Sequence, residues 1–299
     1  MADLAPLILF VYNRPEHTKK TISGLMQNRL AAETELYIFS DGPKTPSDEA
    51  KVNEVRQIVQ AVTGFKKTEL ITGEKNKGLA NSVISGVSTV FEKHDKVIVV
   101  EDDLESTSDF LDFMNQALGR YENEQNVFSV TGYAYPFKAV GSLAESAYFS
   151  YRGSSWSWAT WKDRWQSIDW EIKDKNDFIP DENLRKVFNK GGADLSPMLI
   201  KQINGEVDSW AIRFAYNASK QNKLHAVASR AKINNIGQDN SGTHSKKTSK
   251  YDVVLQEEKE FVFPDTVEIN PEIQRDLEDF FRKSAVKKLL SRIRGLIKG

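Results

Sequence analysis

The chain has 299 residues, of which 39% are hydrophobic and 28% charged, with a formal net charge of −1 and no cysteine. This composition is typical of a globular protein, and it excludes disulfides, thiolate metal sites and cysteine nucleophiles. No stretch approaches the roughly 20 apolar residues of a membrane span, and the N-terminal segment lacks the basic start of a signal peptide. We therefore expect a cytoplasmic protein, and we expect no nucleic-acid partner.

Strand-like apolar segments alternate with helical patterns over residues 1–125. Strands are predicted at 7–11, 35–40, 70–72 and 96–100, and helices at 16–26, 48–62 and 79–91. This alternation predicts an α/β fold with a mostly parallel sheet and helices on both faces. In such folds ligands bind beyond the carboxyl ends of the strands. Polar residues follow the predicted strand ends at Asn13, Asp41, Lys77 and 101–103.

Lys77 belongs to the stretch GEKNKG, residues 73–78, whose two glycines have the spacing of a phosphate-binding loop. In that motif a lysine follows the second glycine directly, whereas this chain has Leu79 there. We therefore reject an ordinary phosphate-binding loop at this position.

The stretch VIVVEDDLE, residues 97–105, ends a fully apolar strand with three adjacent acids. Adjacent carboxylates raise one another's proton affinity unless a cation neutralises them, and Mg²⁺ and Mn²⁺ prefer carboxylate and phosphate oxygens. A divalent metal site is therefore expected here. The alternative is that Asp102, Asp103 and Glu105 precede a helix over residues 108–121, where acids complement the helix dipole and Glu105 caps the helix.

The second half, residues 126–265, is less regular. Short strands are predicted over 128–152, mainly helices over 181–230, and a polar loop over 234–250 that is a candidate mobile lid. Trp158, Trp161 and Trp165 have the spacing of one buried helix face.

The C-terminal region, residues 266–299, ends in a basic segment. From Phe280 to Gly299 it carries seven Lys or Arg and no acid, with apolar residues at spacings of three and four. This pattern predicts an amphipathic helix that either lies on an anionic membrane surface or packs on the body of the protein.

Several motifs together resemble a known family. The segments LILFVYNRP, YIFSDGP, NKGLANSVISGVSTVF and VIVVEDDLESTSDFLDF, over about residues 5–115, resemble the N-terminal half of GT-A glycosyltransferases of the N-acetylglucosaminyltransferase I type and related bacterial sugar transferases. Two later segments, VDSW at 207–210 and NIGQDNSGTHS, resemble the D-x-W element and the flexible loop of that family.

The resemblance implies roles for the residues at the strand ends. Asn13 and Arg14 would lie near the nucleotide of a UDP-sugar, and Asp41 would hydrogen-bond the uracil ring. Asp103 would bind the metal directly. Glu101 and Asp102 would lie close to the ribose and the donor sugar. Arg14 is a candidate cation for the departing diphosphate, because positive charge stabilises a developing anion. By the same argument, Lys77 is a second candidate cation for the departing diphosphate.

Further roles fall in the second half. Asp208 would be the catalytic base, although from the residues alone it is better explained as the N-cap of a helix over 210–216. His244 would end the loop that closes over the donor. Trp156 is a candidate for stacking on an acceptor sugar, with core packing as the alternative.

These expectations define a transferase that depends on Mn²⁺ or Mg²⁺. It would move a sugar from a UDP-sugar to a glycan or lipid-linked acceptor with inversion at the anomeric carbon, in surface polysaccharide synthesis on the inner face of the cytoplasmic membrane. One alternative is a sugar nucleotidyltransferase, although Tyr12-Asn-Arg-Pro stands where such enzymes have a G-x-G-T-R motif. The other is a non-catalytic sugar-binding or membrane-binding protein of the same fold.

Overall fold

The computed structural model describes residues 4–239 and 248–282. His244 and most of the basic C-terminal segment, residues 283–299, lie outside the described residues. The strands within the described part are β1 (Leu7–Val11), β2 (Glu35–Ser40), β3 (Lys67–Thr72), β4 (Lys96–Glu101), β5 (Leu104–Ser106), β6 (Val127–Thr131), β7 (Ala147–Ser150), β8 (Trp158–Trp161), β9 (Leu224–Ala228) and β10 (Ile233–Asn235).

Helices connect most of these strands. They are α1 (Pro15–Met26), α2 (Glu49–Gln60), α3 (Leu79–Val90), α4 (Phe110–Tyr121), α5 (Lys162–Gln166), α6 (Lys175–Phe178), α7 (Glu182–Phe188), α8 (Leu195–Ile203), α9 (Trp210–Lys220) and α10 (Pro271–Phe280). Short 3₁₀ turns occur at Ala31–Glu33, Pro46–Asp48, Ala139–Ser142 and Asn189–Gly191. In the described part of the chain no helix is long and apolar enough to cross a membrane.

Eight strands form one sheet in the order β3-β2-β1-β4-β8-β6-β9-β7. The strands β3, β2, β1 and β4 are mutually parallel, as the alternation of segments predicts, so the expected α/β class is confirmed. In the other half, β8 runs antiparallel to β4 and β6, and β7 runs antiparallel to β9. The chain reverses its direction of strand addition between β1 and β4, and ligands of α/β proteins bind at such switch points.

The sheet has a helical layer and a hydrophobic core on each face. Along β4, Ile98 and Val100 pack with α1, α2 and α4, whereas Val97 and Val99 pack with α3, α5 and α9. All four side chains are at most 1% exposed. A strand buried on both faces requires this continuous apolar run, and Glu101, the polar residue that follows the run, marks the edge of the sheet.

Trp158, Trp161 and Trp165 do not share a helix face, so the prediction of one buried helix face is wrong. Trp158 and Trp161 begin and end strand β8, and they belong to the cores on opposite faces of the sheet. Successive side chains of a strand alternate between faces, so positions three apart point in opposite directions. Trp165 follows in α5 and stacks on Trp158 with ring centroids 5.6 Å apart.

A small antiparallel ribbon of β5 and β10 lies beside the main sheet. It pairs Asn234 with Glu105 and Asn235 with Leu104. Helix α4 begins only at Phe110, after this ribbon. The alternative in which Glu105 caps the helix, and the neighbouring acids complement its dipole, is therefore wrong.

Candidate active site

An ion pair between Arg14 and Asp103 lies at the carboxyl edge of the sheet, where β1 and β4 end. Arg14 Nη1 is 2.7 Å from Asp103 Oδ2, and both side chains are 14% exposed. Arg14 is placed by the start of helix α1, where Pro15 occupies the first helical position and Thr18 donates its N–H to the Arg14 carbonyl. Proline suits this position because its missing N–H has no partner within the helix.

The acidic cluster, defined as Glu101, Asp102 and Asp103, is only partly neutralised by Arg14. Burial, together with the neighbouring carboxylates, raises the pKa of Glu101 to about 8 and the pKa of Asp102 to about 7. Asp102 Oδ2 accepts a hydrogen bond from the Tyr12 N–H at 3.2 Å. Within the described residues, the buried Oδ1 of Asp103 has no hydrogen-bond partner. This oxygen can therefore accept a hydrogen bond from, or bind, one further donating or positive group.

The cover segment, residues 236–239, lies over this ion pair. Ile236 donates its N–H to the Asp103 carbonyl at 2.9 Å, as a continuation of the β5–β10 ribbon. At Gly237, a Cβ would lie 2.0 Å from Asp103 Oδ2 and 2.9 Å from Arg14 Nη1. Asp239 then approaches Arg14 Nη2 at 3.7 Å and His17 Nε2 at 3.2 Å. A side chain at position 237 would therefore collide with the Asp103 carboxylate and the Arg14 guanidinium, which glycine avoids.

Other residues expected in a nucleotide site have different environments. The Asp41 carboxylate accepts backbone N–H groups from Gly42, Lys77 and Gly78 at 2.9–3.1 Å. Asp41 therefore fixes the turn before helix α3, while the Lys77 side chain is exposed to solvent. Asn13 donates to Asp48 Oδ1 at 2.9 Å. These residues share the carboxyl edge with the acidic cluster, as the sequence predicts.

The donor set fits a divalent ion that takes most of its ligands from a substrate. In residues 4–239 and 248–282, no group of three or more His, Cys, Asp or Glu side chains is arranged to hold a metal. Mg²⁺ is often bound by one or two carboxylates together with phosphates and waters, without a full protein cage. Asp103, with its unpartnered Oδ1, supplies a carboxylate of this kind.

An aromatic cavity of about 580 Å³ lies on the other side of the cover segment. Gln238 lines this cavity, whereas its neighbours in the chain, Gly237 and Asp239, contact Asp103 and Arg14. The backbone of the cover segment thus separates the acidic cluster from the cavity. The volume of the cavity lies within the range of roughly 300–1,000 Å³ that is typical of ligand pockets.

Trp156 lines this cavity and makes edge-to-face contacts with Tyr133 and Tyr251, with ring centroids 4.8 and 5.5 Å apart.

Asp208 precedes helix α9 and lies two residues before Trp210, which lines the cavity. Its exposed carboxylate accepts a hydrogen bond from Arg213 at 2.7 Å. Ser209, and not Asp208, is the N-cap, because its side chain accepts the Ile212 N–H. The N-cap explanation of Asp208 is therefore wrong.

Sequence reasoning missed three residues of this region. Gly237 and Asp239 fall within the expected polar loop but were not singled out, although a glycine just beyond the strand-like INNI stretch signals a close backbone approach. His225, the second residue of the apolar strand LHAVA, lines the cavity and is 1% exposed. A single histidine in an apolar run carries no signal that separates a ligand contact from core packing.

Among known proteins, several solved structures are similar to this chain at low sequence identity. No protein-family model and no curated protein matches it. The mannosyltransferase PcManGT from Pyrobaculum calidifontis, in complex with GDP-Man and Mn²⁺, is similar with a TM-score of 0.37 and 12% identity, over 54% of this chain and 48% of that structure. TarS 1–349 from S. aureus is similar with a TM-score of 0.41 and 12% identity, over 76% of this chain and 59% of that structure. The chain thus spans less than two thirds of either structure.

Proposed function

We propose that this protein is a metal-dependent GT-A glycosyltransferase that moves a sugar from a UDP-sugar to a glycan or lipid-linked acceptor with inversion. The observation that carries the proposal is Asp103: one carboxylate oxygen pairs with Arg14, and the other is buried without a partner among the described residues. This arrangement lies at the switch point of the sheet and beside a ligand-sized cavity. It supports a diphosphate-bearing ligand that brings a divalent ion to Asp103.

The chemistry of sugar transfer needs two kinds of group. The bond between the anomeric carbon and the diphosphate oxygen breaks, so negative charge develops on the departing diphosphate. A bound divalent ion would stabilise that charge as a Lewis acid, and Arg14 supplies a fixed positive charge beside it. Asp103 would hold the ion, while Glu101 and Asp102 would orient the ribose and the donor sugar.

The acceptor hydroxyl must lose its proton as its oxygen bonds to the anomeric carbon. We assign this proton to Asp208, whose carboxylate is exposed and is oriented by Arg213. Attack from the face opposite the diphosphate inverts the anomeric carbon. Trp156, on the wall of the aromatic cavity, would stack on the acceptor sugar, since aromatic faces pack on the apolar faces of pyranose rings.

The donor-side proposal is tested by thermal shift with UDP-, GDP-, CMP- and dTDP-sugars, with and without Mn²⁺. A ligand that binds only the native state raises its apparent stability, so a UDP-sugar with Mn²⁺ should raise the Tm of the full chain. Asp103→Asn should abolish the metal-dependent part of that shift, and Asp112→Asn, the same change in helix α4, should keep it. An unchanged metal-dependent shift in Asp103→Asn rejects the metal assignment.

Two activity assays separate the alternatives. Pyrophosphate release from UTP and a sugar phosphate would identify a nucleotidyltransferase. Metal-dependent UDP binding without hydrolysis or transfer from any donor would identify a non-catalytic binding protein. Release of UDP that increases when an acceptor is added supports the transferase.

The setting we propose is the inner face of the cytoplasmic membrane, where the basic C-terminal segment would bind anionic lipid. Deleting residues 283–299 leaves helix α10 intact. If sedimentation with vesicles of anionic phospholipid is the same with and without this segment, the membrane setting is wrong.

A further inference from the structure

The aromatic cavity lies between the second half of the sheet and helices α8 and α9. Its walls include aromatic and aliphatic side chains from distant parts of the chain, among them Tyr135, Trp156, Met198, Trp210, Tyr251 and Phe281. Aromatic walls with a few polar groups are typical of sites that bind sugar rings or other amphipathic ligands.

The cavity offers no uncompensated charge among its described lining residues. Among the described lining residues, Arg152 is the one with a charged side chain. Its guanidinium donates two hydrogen bonds to Asp194, each 2.9 Å long, and a third to the Gly191 carbonyl at 3.0 Å. It also packs 3.7 Å from the centre of the Phe281 ring. Arg152 is therefore committed to the protein, and an anionic ligand would find no available counter-ion in these residues.

One buried polar atom of the lining lacks a partner. His225 shares a 2.7 Å hydrogen bond between its Nδ1 and the Ser129 hydroxyl, and within the described residues its Nε2 has no partner. Burial lowers the pKa of His225 to about 4, so the imidazole is neutral at physiological pH. Gly153 lies against the ring, where a Cβ would be 2.9 Å from Nδ1. The imidazole is held in place, and an unsatisfied buried nitrogen costs free energy until a ligand group bonds to it.

We propose that the aromatic cavity binds an uncharged pyranose ring of the acceptor, and that His225 is the specificity-determining residue that hydrogen-bonds one of its hydroxyl groups. This inference rests on the proposed transferase and narrows its acceptor. A hydroxyl both donates and accepts, so it satisfies either tautomer of the neutral imidazole. A carboxylate or phosphate in the same position would be buried without a counter-ion among the described residues, which is strongly unfavourable.

The test compares two sugars that differ in one group, methyl β-glucopyranoside and methyl β-glucuronide, by saturation-transfer NMR with the full chain. Galactoside and N-acetylglucosaminide analogues are included because the ring is not identified. We expect at least one neutral glycoside to bind, and the glucuronide to bind at least about tenfold more weakly than the glucoside. His225→Phe should weaken the neutral glycoside by roughly three- to tenfold, the loss of one hydrogen bond. His225→Asn, which keeps a donor and an acceptor, should restore part of this affinity.

Equal or tighter binding of the glucuronide overturns the proposal and needs no variant. So does the absence of binding by every neutral glycoside, or unchanged binding in folded His225→Phe. If His225→Phe does not fold, as judged by near-UV circular dichroism, Trp156→Leu must abolish binding of the neutral glycoside for the proposal to stand. Thermal shift with UDP and Mn²⁺ on the same samples separates the two failures, because donor binding without glycoside binding rejects only the acceptor inference.

Discussion

Arg14 and Asp103 form a 2.7 Å ion pair although 89 residues separate them in the chain. They meet because β1 and β4 are neighbours in the parallel sheet, with Leu9 opposite Val100 and Phe10 opposite Glu101. The residues that follow two parallel neighbours emerge at the same edge. The ion pair is thus a direct product of the sheet topology.

Replacing Arg14 by Met should weaken the binding of UDP in the presence of Mn²⁺. The positive charge of Arg14 lowers the pKa values of Glu101 and Asp102, so its removal leaves the acidic cluster more strongly protonated and removes a cation beside the diphosphate. A charge-assisted hydrogen bond corresponds to roughly ten- to hundredfold in affinity, measurable by isothermal titration calorimetry. Arg29→Met removes an exposed arginine and is the matched control. Equal UDP affinity in both variants would show that Arg14 has no role in donor binding.

Gly237→Ala should disrupt the cover segment without unfolding the protein. The new methyl group would be 2.0 Å from Asp103 Oδ2, so either the segment or the carboxylate must move. We expect the Mn²⁺-dependent thermal shift with UDP to fall by at least half. At Gly141 a Cβ meets nothing within 4 Å, and Gly141→Ala should behave as the parent. A full thermal shift in Gly237→Ala would mean that the cover segment does not constrain Asp103.

Asp208 and Ser209 are adjacent but should have separable effects. Asp208→Asn should lower kcat for transfer by roughly 10²- to 10⁴-fold, the usual contribution of a general base, with little change in stability. Ser209→Ala removes the N-cap of α9 and should reduce the free energy of unfolding by about 1 kcal/mol. Acceptor-dependent UDP release measures the first effect, and urea denaturation measures the second. Parent-like transfer by Asp208→Asn would remove Asp208 from the mechanism.

Asp109→Asn should destabilise the fold, and the loss should depend on pH. Asp109 and Lys232 form a 2.7 Å ion pair, and both side chains are 0% exposed. Lys232 directly precedes strand β10. Removing one partner of an isolated buried pair costs roughly 3–5 kcal/mol. Lys232 also pairs with Glu258 at 3.0 Å, so the loss should fall below that range. Burial alone raises the pKa of Asp109, but hydrogen bonds from Lys232 and Thr107 outweigh it and lower the pKa overall.

The sign of this pH dependence follows from the lowered pKa. The contribution of Asp109 to stability is complete above about pH 4, where the unfolded carboxyl ionises. It is lost as the pH falls through the lower pKa of the folded state. Urea denaturation from pH 7 to pH 2 should therefore show a smaller decrease in stability for Asp109→Asn than for the parent. Parallel curves would show that this ion pair does not couple folding to protonation.

The sequence predicted the parts of the site that depend on local pattern. The continuous apolar run of β4 followed by three acids identifies a buried strand and its carboxyl end. The alternation of strands and helices predicts that Asn13, Asp41 and the acidic cluster share one edge. These predictions succeed because strand and helix periodicities are properties of short segments.

Short segments with mixed signals are less predictable. Trp158, Trp161 and Trp165 satisfy a helical spacing, yet the first two lie in a strand whose faces alternate. Asp208 and Ser209 are both good N-caps, and only the hydrogen bond from Ile212 distinguishes them. In both cases pairing or geometry beyond the segment decides the outcome.

The chain by itself thus determines a parallel α/β sheet with an acidic edge, because each of those features follows from residues close together in sequence. Tertiary structure alone decides that Gly237 covers Asp103, since the contact depends on the pairing of β5 with β10 across more than 100 residues. It also decides that His225 lies in a cavity rather than in a sealed core. Both outcomes depend on the packing of distant segments, for which local periodicity carries no information.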